Sequence, residues 1–308
     1  MKEQMTETYA EPKKRARNKF GMLMGGLLFI SLVLVITGVA MGGSLINFRG
    51  GLGFSTGSFY FTDLQLANSD AEVEGDSLYE GVVNLRVESG AISTLIKEWD
   101  GSGINVDTSN LSRNARRQLN VSQNGDTLNI SSGDFGRIQI FGLNFTSDIL
   151  VIQVPVGFEF ESVHLDTGAG HLKLEYLIAE ELEVSIGAGQ LDATNLFAQQ
   201  LLVNIGAGQG EIERFEADDA KLSVGAGQLN ATGIIHNHAD LDCSVGEIVL
   251  DVLGRQEDFA YSVSLGIGEA TFGGRTIAGL GGEFSGNLEM DRRIDVNVGI
   301  GSVTVNFR

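Results

Sequence analysis

The sequence predicts an all-β solenoid of roughly 19-residue coils, single-stranded and β-helix-like, behind one N-terminal transmembrane helix. Three observations predict it. Gly-Ala-Gly recurs at Gly168, Gly187, Gly206 and Gly225, each copy 19 residues after the last. Columns read at that period hold one kind of side chain, apolar or polar. Residues 20–48 carry no charge and directly follow Lys13, Lys14, Arg15, Arg17 and Lys19. A fixed period of this size marks a stack of similar coils, each burying its face against its neighbours.

In chain order, residues 1–19 form a basic tail. Residues 20–41 are apolar enough to cross a bilayer. The basic cluster keeps the tail in the cytoplasm, so the C-terminal mass is extracytoplasmic. A cleaved signal peptide ending at Gly38-Val39-Ala40 is the rival. The polar leader and an apolar run longer than 7–15 residues favour a retained anchor. Residues 42–81 form a Gly/Ser-rich connector, and residues 82–308 the repeat domain. Its first part is irregular, with strands expected at 104–107, 118–122, 127–131, 137–140 and 149–154. Asn124-Gly125 makes a hairpin turn between two of them.

The regular coils are read from columns. One is Leu165, Val184, Val203, Leu222, Leu241; a second is Thr167, Ile186, Ile205, Val224, Cys243. Past the turn come Leu172, Leu191, Gly210, Leu229, Ile248, then Leu174, Ala193, Ile212, Ala231, Leu250, and a corner column Leu177, Leu196, Phe215, Ile234, Leu253. Intervening positions are polar, as in Asp166, Ser185, Asn204, Ser223, Asp242, and this alternation defines half-buried strands. The third turn position is glycine at Gly170, Gly189, Gly208, Gly227 and Gly246, with equivalents at Gly268, Gly301 and Gly90. Positive φ or close backbone contact excludes a Cβ there. A phosphate-cradling role would need a helix start and a lysine, which these turns lack. The longer gaps, 22 residues to Gly268 and 33 to Gly301, read as two further coils, the second holding a loop over 273–287. That loop is expected to fold over the final strand, 302–307, and bury Ile277, Leu280 and Phe284.

Composition excludes several functions. Beyond residue 19 the chain has 15 basic and 37 acidic residues, a net charge of −22, which argues against nucleic acid and anionic lipid surfaces. The single cysteine, Cys243, rules out an intramolecular disulfide and reads as a small buried hydrophobe. No catalytic, cofactor-binding or metal-ligating residues are assigned. Asp166 and Asp242 stand four coils apart, about 19 Å, beyond the ~5–9.5 Å of a glycosidase carboxylate pair. The best metal candidate, His236-Asn237-His238-Ala239-Asp240, belongs to one coil and reads as an exposed corner. Asp192 has Lys173, Glu211 and Asn230 in its column, so the calcium nonapeptide repeat fails.

An apolar anchor, then Leu150-Val151-Ile152-Gln153-Val154-Pro155, then Leu165-Asp166-Thr167-Gly168-Ala169-Gly170 and its repeats, resembles the "putative adhesin" β-strand-repeat family of bacterial envelope proteins, itself similar to toast-rack domains. The resemblance spans residues 82–308. It implies a β-solenoid outside the cytoplasmic membrane, with roles in adhesion or envelope-stress signalling and no catalytic residues. The expectation is therefore a cell-membrane-anchored binding or scaffolding module for an envelope protein or glycan. The polar column His171, Gln190, Gln209, Gln228, Glu247 offers a contact ridge, or a ladder of stacked amides. A sensory ectodomain acting through a membrane partner, and less readily a glycan-active surface enzyme, are the alternatives.

Overall fold

Strands supply nearly all of the regular structure in the computed structural model, which describes residues 76–132 and 148–308. The expected transmembrane helix and the strand at 137–140 lie outside these residues. Among the described residues, no helix is long and apolar enough to cross a membrane.

The parallel stack is built on the 19-residue period. Strands β8 (Glu159–Thr167), β10 (Leu177–Ile186) and β12 (Leu196–Ile205) pair in parallel, Leu165 opposite Val184 and Val184 opposite Val203. Beyond the turns, β9 (His171–Leu174) and β11 (Gln190–Ala193) pair the same way. The long strands β13 (Gln209–Val224) and β14 (Gln228–Cys243) run through both faces, and β15 (Glu247–Val252) completes the fifth repeat. Each apolar column becomes a continuous rung ladder. The ladder through Val87, Leu165, Val184, Val203, Leu222 and Leu241 is at most 2% exposed throughout. Burying one such side chain contributes roughly 1.5–3 kcal/mol, so stacking makes coils stable that alone would be marginal.

Glycine holds the third turn position because of close approach. A Cβ on Gly189, Gly208, Gly227 or Gly246 would lie 2.0–2.3 Å from the carbonyl oxygen of the glycine one coil below. In this column only Gly268 and Gly301 also have positive φ, 134° and 155°. Gly90 stands instead beneath Gly168, in the first turn position, and Ile92 lies beneath Gly170. The place of a side chain at Gly210, within a leucine column, is filled by its core neighbours, since its Cβ would sit 2.8 Å from Leu229 Cδ1 and 3.2 Å from Ile205 Cδ1.

The corner column departs from the expected register. Phe215 pairs with Gly233, and Ile234 pairs with Glu216 on the outside. The Phe215 ring occupies the space over Gly233, where a Cβ would meet it at 2.4 Å. The pairing shifts by one residue there and recovers at Asp219–His238. Ile235 thereby takes the buried place, and Leu253 is left 38% exposed.

At the N-terminal end, β2 (Asn84–Ser89) and β3 (Ser93–Trp99) form the first coil, resting on β6 (Thr127–Ser132) and β7 (Ile149–Pro155). The outermost strands are antiparallel. β5 (Leu119–Asn124) turns back on β6 through Asn124-Gly125, and β4 (Ile104–Asp107) lies on β7. β1 (Asp76–Tyr79), within the stretch read as connector, adds to β4. A six-residue helix α1 (Arg113–Gln118), absent from the sequence reading, starts at Ser112, whose hydroxyl accepts from the Ala115 amide and donates to buried Asp148.

The C-terminal end corrects the expected order. β18 (Arg292–Phe307) is not the terminal rung. It inserts in parallel between β14–β15 on one side and β16 (Phe259–Phe272) on the other, so Leu241 is followed by Val296 and then Val263. The segment read as a loop is strand β17 (Arg275–Gly286), antiparallel on β16. It closes the stack over β16, not over β18. Phe284 is buried with the Arg275 guanidinium 4.4 Å from its ring centroid, Ile277 is half-buried, and Leu280 is 82% exposed. Leu280 falls opposite Ile267 at the turn, where side chains point outward. Both ends of the parallel stack therefore finish in antiparallel strands.

Candidate functional site

Three outward features were singled out in the sequence, and the stack treats them differently. The ridge beside the turns is assembled as read. His171, Gln190, Gln209, Gln228 and Glu247 stand in register on successive strands. Gln209 Nε2 donates to Gln228 Oε1 at 3.4 Å, and Gln228 Nε2 donates to Glu247 Oε2 at 3.2 Å. At the other end Gln190 leaves the ladder and donates to Asp192 Oδ1 at 3.0 Å, while His171 Nε2 lies 2.7 Å from Asp192 Oδ2. The ridge is thus an amide ladder ending in one carboxylate, with an imidazole-carboxylate pair at its base.

The His236–Asp240 stretch is not brought together as one site. His236 Nε2 meets Glu216 Oε1 at 2.8 Å, His238 Nε2 meets Asp295 Oδ2 at 3.2 Å, and Asp240 accepts from Lys221 Nζ at 3.3 Å. Each side chain is occupied by a different neighbour. Among the described residues, no group of three or more His, Cys, Asp or Glu side chains is placed to hold a metal ion. Asp166 and Asp242 share an outer column but are separated by Ser185, Asn204 and Ser223. Asp242 accepts from Asn297 Nδ2 at 3.1 Å and lies 3.4 Å from Lys221 Nζ.

All four histidines of the chain reach a carboxylate on a neighbouring rung, His164 doing so with Glu183 at 2.8 Å. The sequence reading missed these pairs. The column pairs His164–Glu183 carried the signal, whereas Asp295 reaches His238 only through the insertion of β18. Burial pushes the Asp192 carboxyl up, but hydrogen bonds from His171 and Gln190 and the charges of His171 and Lys173 outweigh it and hold it below 3.8. Burial likewise raises Asp295, and Arg293 with His238 overcomes that and lowers it. A lowered folded-state carboxyl adds stability that is complete above the ordinary value and lost as pH falls through the folded one. Melting temperatures at pH 6 and pH 3 should therefore differ less for Asp295→Asn than for the parent. An equal acid-induced drop in both would show that Asp295 contributes nothing to acid sensitivity.

Cys243 is buried between Val224 and Val298, and burial pushes its thiol up, so it is neither a ready nucleophile nor a metal thiolate.

The fold and its surface define a class: a parallel β-repeat domain with polar outer columns and an apolar interior. Residues 82–264 match the model of the Toastrack DUF4097 family, and the chain belongs to that family. The family points to a non-catalytic domain. A comparison with curated proteins found no match. Among solved structures, the chain is similar to a "putative adhesin" from Bacteroides fragilis, at 13% identity over 75% of this chain and 94% of that one, with a TM-score of 0.39. It is also similar to a "putative cell adhesion protein" from Clostridium sporogenes (14% identity, 76% and 98% covered, TM-score 0.31) and a "putative adhesin" from Parabacteroides merdae (10%, 76% and 94%, TM-score 0.31).

Proposed function

We propose that this chain is a membrane-anchored, extracytoplasmic binding or scaffolding module of the bacterial envelope, adhesin-like and without catalysis. The observation that carries the reading is the stack's exterior. Outward polar columns repeat in register on a rigid apolar interior, which suits extended contact with a macromolecule better than chemistry at one point. Several carboxylates, among them Asp240, Asp295, Glu247 and Glu216, are held by lysine, arginine, amide or histidine partners along these columns, an arrangement for structure and recognition. Anchoring rests on the uncharged residues 20–41 and the basic cluster before them. Protease added to intact spheroplasts should then remove the mass beyond about residue 42 and spare the tail. Full protection of the C-terminal domain until lysis would overturn the exported placement.

A further inference from the structure

The regular coils share a break in their paired register, and there the exterior forms a groove. The paired register runs through Ala179–Ala198–Ala217 and skips the next residue of each coil before resuming at Glu181–Gln200–Asp219. The column just before the skipped residues holds Ala179, Ala198 and Ala217, with the bulk of Phe160 below and Ile235 above. Outside, the residues on either side of each alanine border a trough of about 510 Å³.

One wall is apolar at its centre. Ile178 and Phe197 stand side by side, half-buried, and Phe197 is braced by Tyr176 at 5.3 Å between ring centroids. Five carboxylates join the lining: Glu159 and Glu216 bracket the apolar pair, and Glu161, Glu180 and Asp218 line the opposite side. Among the described residues no lysine or arginine lines the groove, and its imidazole, His236, is engaged with Glu216. The trough crosses five rungs, about 19 Å at ~4.8 Å per rung, the reach of about six extended residues.

We infer that this groove is a docking site for an extended basic segment of a partner polypeptide, with lysines or arginines alternating with apolar side chains. The inference rests on the binding-module reading and names its partner class. Charge complementarity selects the occupant. Of the five carboxylates only Glu216 has a basic neighbour in the trough, His236, so the groove attracts cations and repels acidic ligands, while the Ile178–Phe197 pair gives an apolar side chain a dry place between them. This separates the groove from the carboxylates of Asp240, Asp295 and Glu88, which are paired with Lys221, Arg293 and Arg86.

The test uses the full chain in detergent and fluorescence anisotropy with two labelled heptapeptides, Lys-Phe-Lys-Phe-Lys-Phe-Lys and Lys-Ser-Lys-Ser-Lys-Ser-Lys. Binding of the Lys/Phe peptide should weaken about tenfold or more in Glu180→Gln with Asp218→Asn. It should change less than about twofold in Glu211→Gln with Glu213→Gln, an equal charge loss on another face. Phe197→Ser, checked by melting for intact fold, should cost the Lys/Phe peptide its advantage over the Lys/Ser peptide. Equal weakening by the two double variants would assign binding to the diffuse acidic surface and overturn the groove. Absence of Lys/Phe binding, or its displacement by calcium alone with both peptides affected alike, would overturn it too. Spheroplast digestion is read separately, so an exported domain with an unresponsive groove removes this inference and leaves the binding-module reading standing.

Discussion

Gly208→Val is expected to cost at least about 3 kcal/mol, among the largest losses a single substitution causes. The cause is contact between stacked coils. A Cβ at Gly208 would lie 2.2 Å from the Gly189 carbonyl oxygen, and that same oxygen accepts the Gln209 amide at 3.1 Å. Relieving the clash means lifting one coil off the next and breaking the hydrogen bond that holds them, with the same column continuing above at Gly227. No side-chain rotamer avoids it, because the backbone fixes the Cβ position and the atom it meets is a backbone oxygen. Asn204→Ser in the same coil is the control. Its side chain points outward and makes only a 3.4 Å hydrogen bond to Ser185, so its effect should stay within about 0.5 kcal/mol. Urea melts of both variants decide it, and equal midpoints would refute the close-approach account.

The regular repeats were legible because each interior position imposes the same demand on every coil, so Val184, Val203 and Leu222 answer one packing problem and reveal it together. The C-terminal order was hidden for the same reason. Val263 and Val296 satisfy the same rung equally well, so chemistry does not say which of them sits on Leu241. The gaps to Gly268 and Gly301 measured chain length, which is not place in the stack. At the corner, the adjacent pair Ile234 and Ile235 masked a one-residue shift, and only the bulk of Phe215 demanding a glycine opposite carried a hint of it. α1 is too short and polar for a helical period to show. The amide ridge was legible as a column, whereas the separate partners of His236 and His238 depend on a bulge and on a strand 57 residues away. The groove did leave a trace: small Ala179, Ala198 and Ala217, each followed by two polar residues.

Truncation after Asn287 should release the whole 253–287 segment from the domain, because β18 is the joint between β16 and the rest. In the intact chain β16 has β18 as its parallel neighbour and β17 as its antiparallel one, with no direct pairing to β14 or β15. Losing β18 leaves β16–β17 an isolated hairpin, marginal on its own in water. It also removes Phe307, whose ring lies 5.8 Å from that of Phe259 and 5.2 Å from that of Phe272. On the other side, Leu241, Cys243, Ile248 and Leu250 lose the Val296, Val298, Val303 and Val305 that cover them. Two readouts follow. Limited proteolysis should cut rapidly within 253–287 and leave a product ending near Val252. The Cys243 thiol, buried in the parent, should react with a maleimide in the truncated chain at a pH where the parent does not. If β16 instead sat directly on β14 and β15, in sequence order, the truncated chain would keep 259–272 protected and Cys243 covered. That outcome would overturn the inserted position of β18.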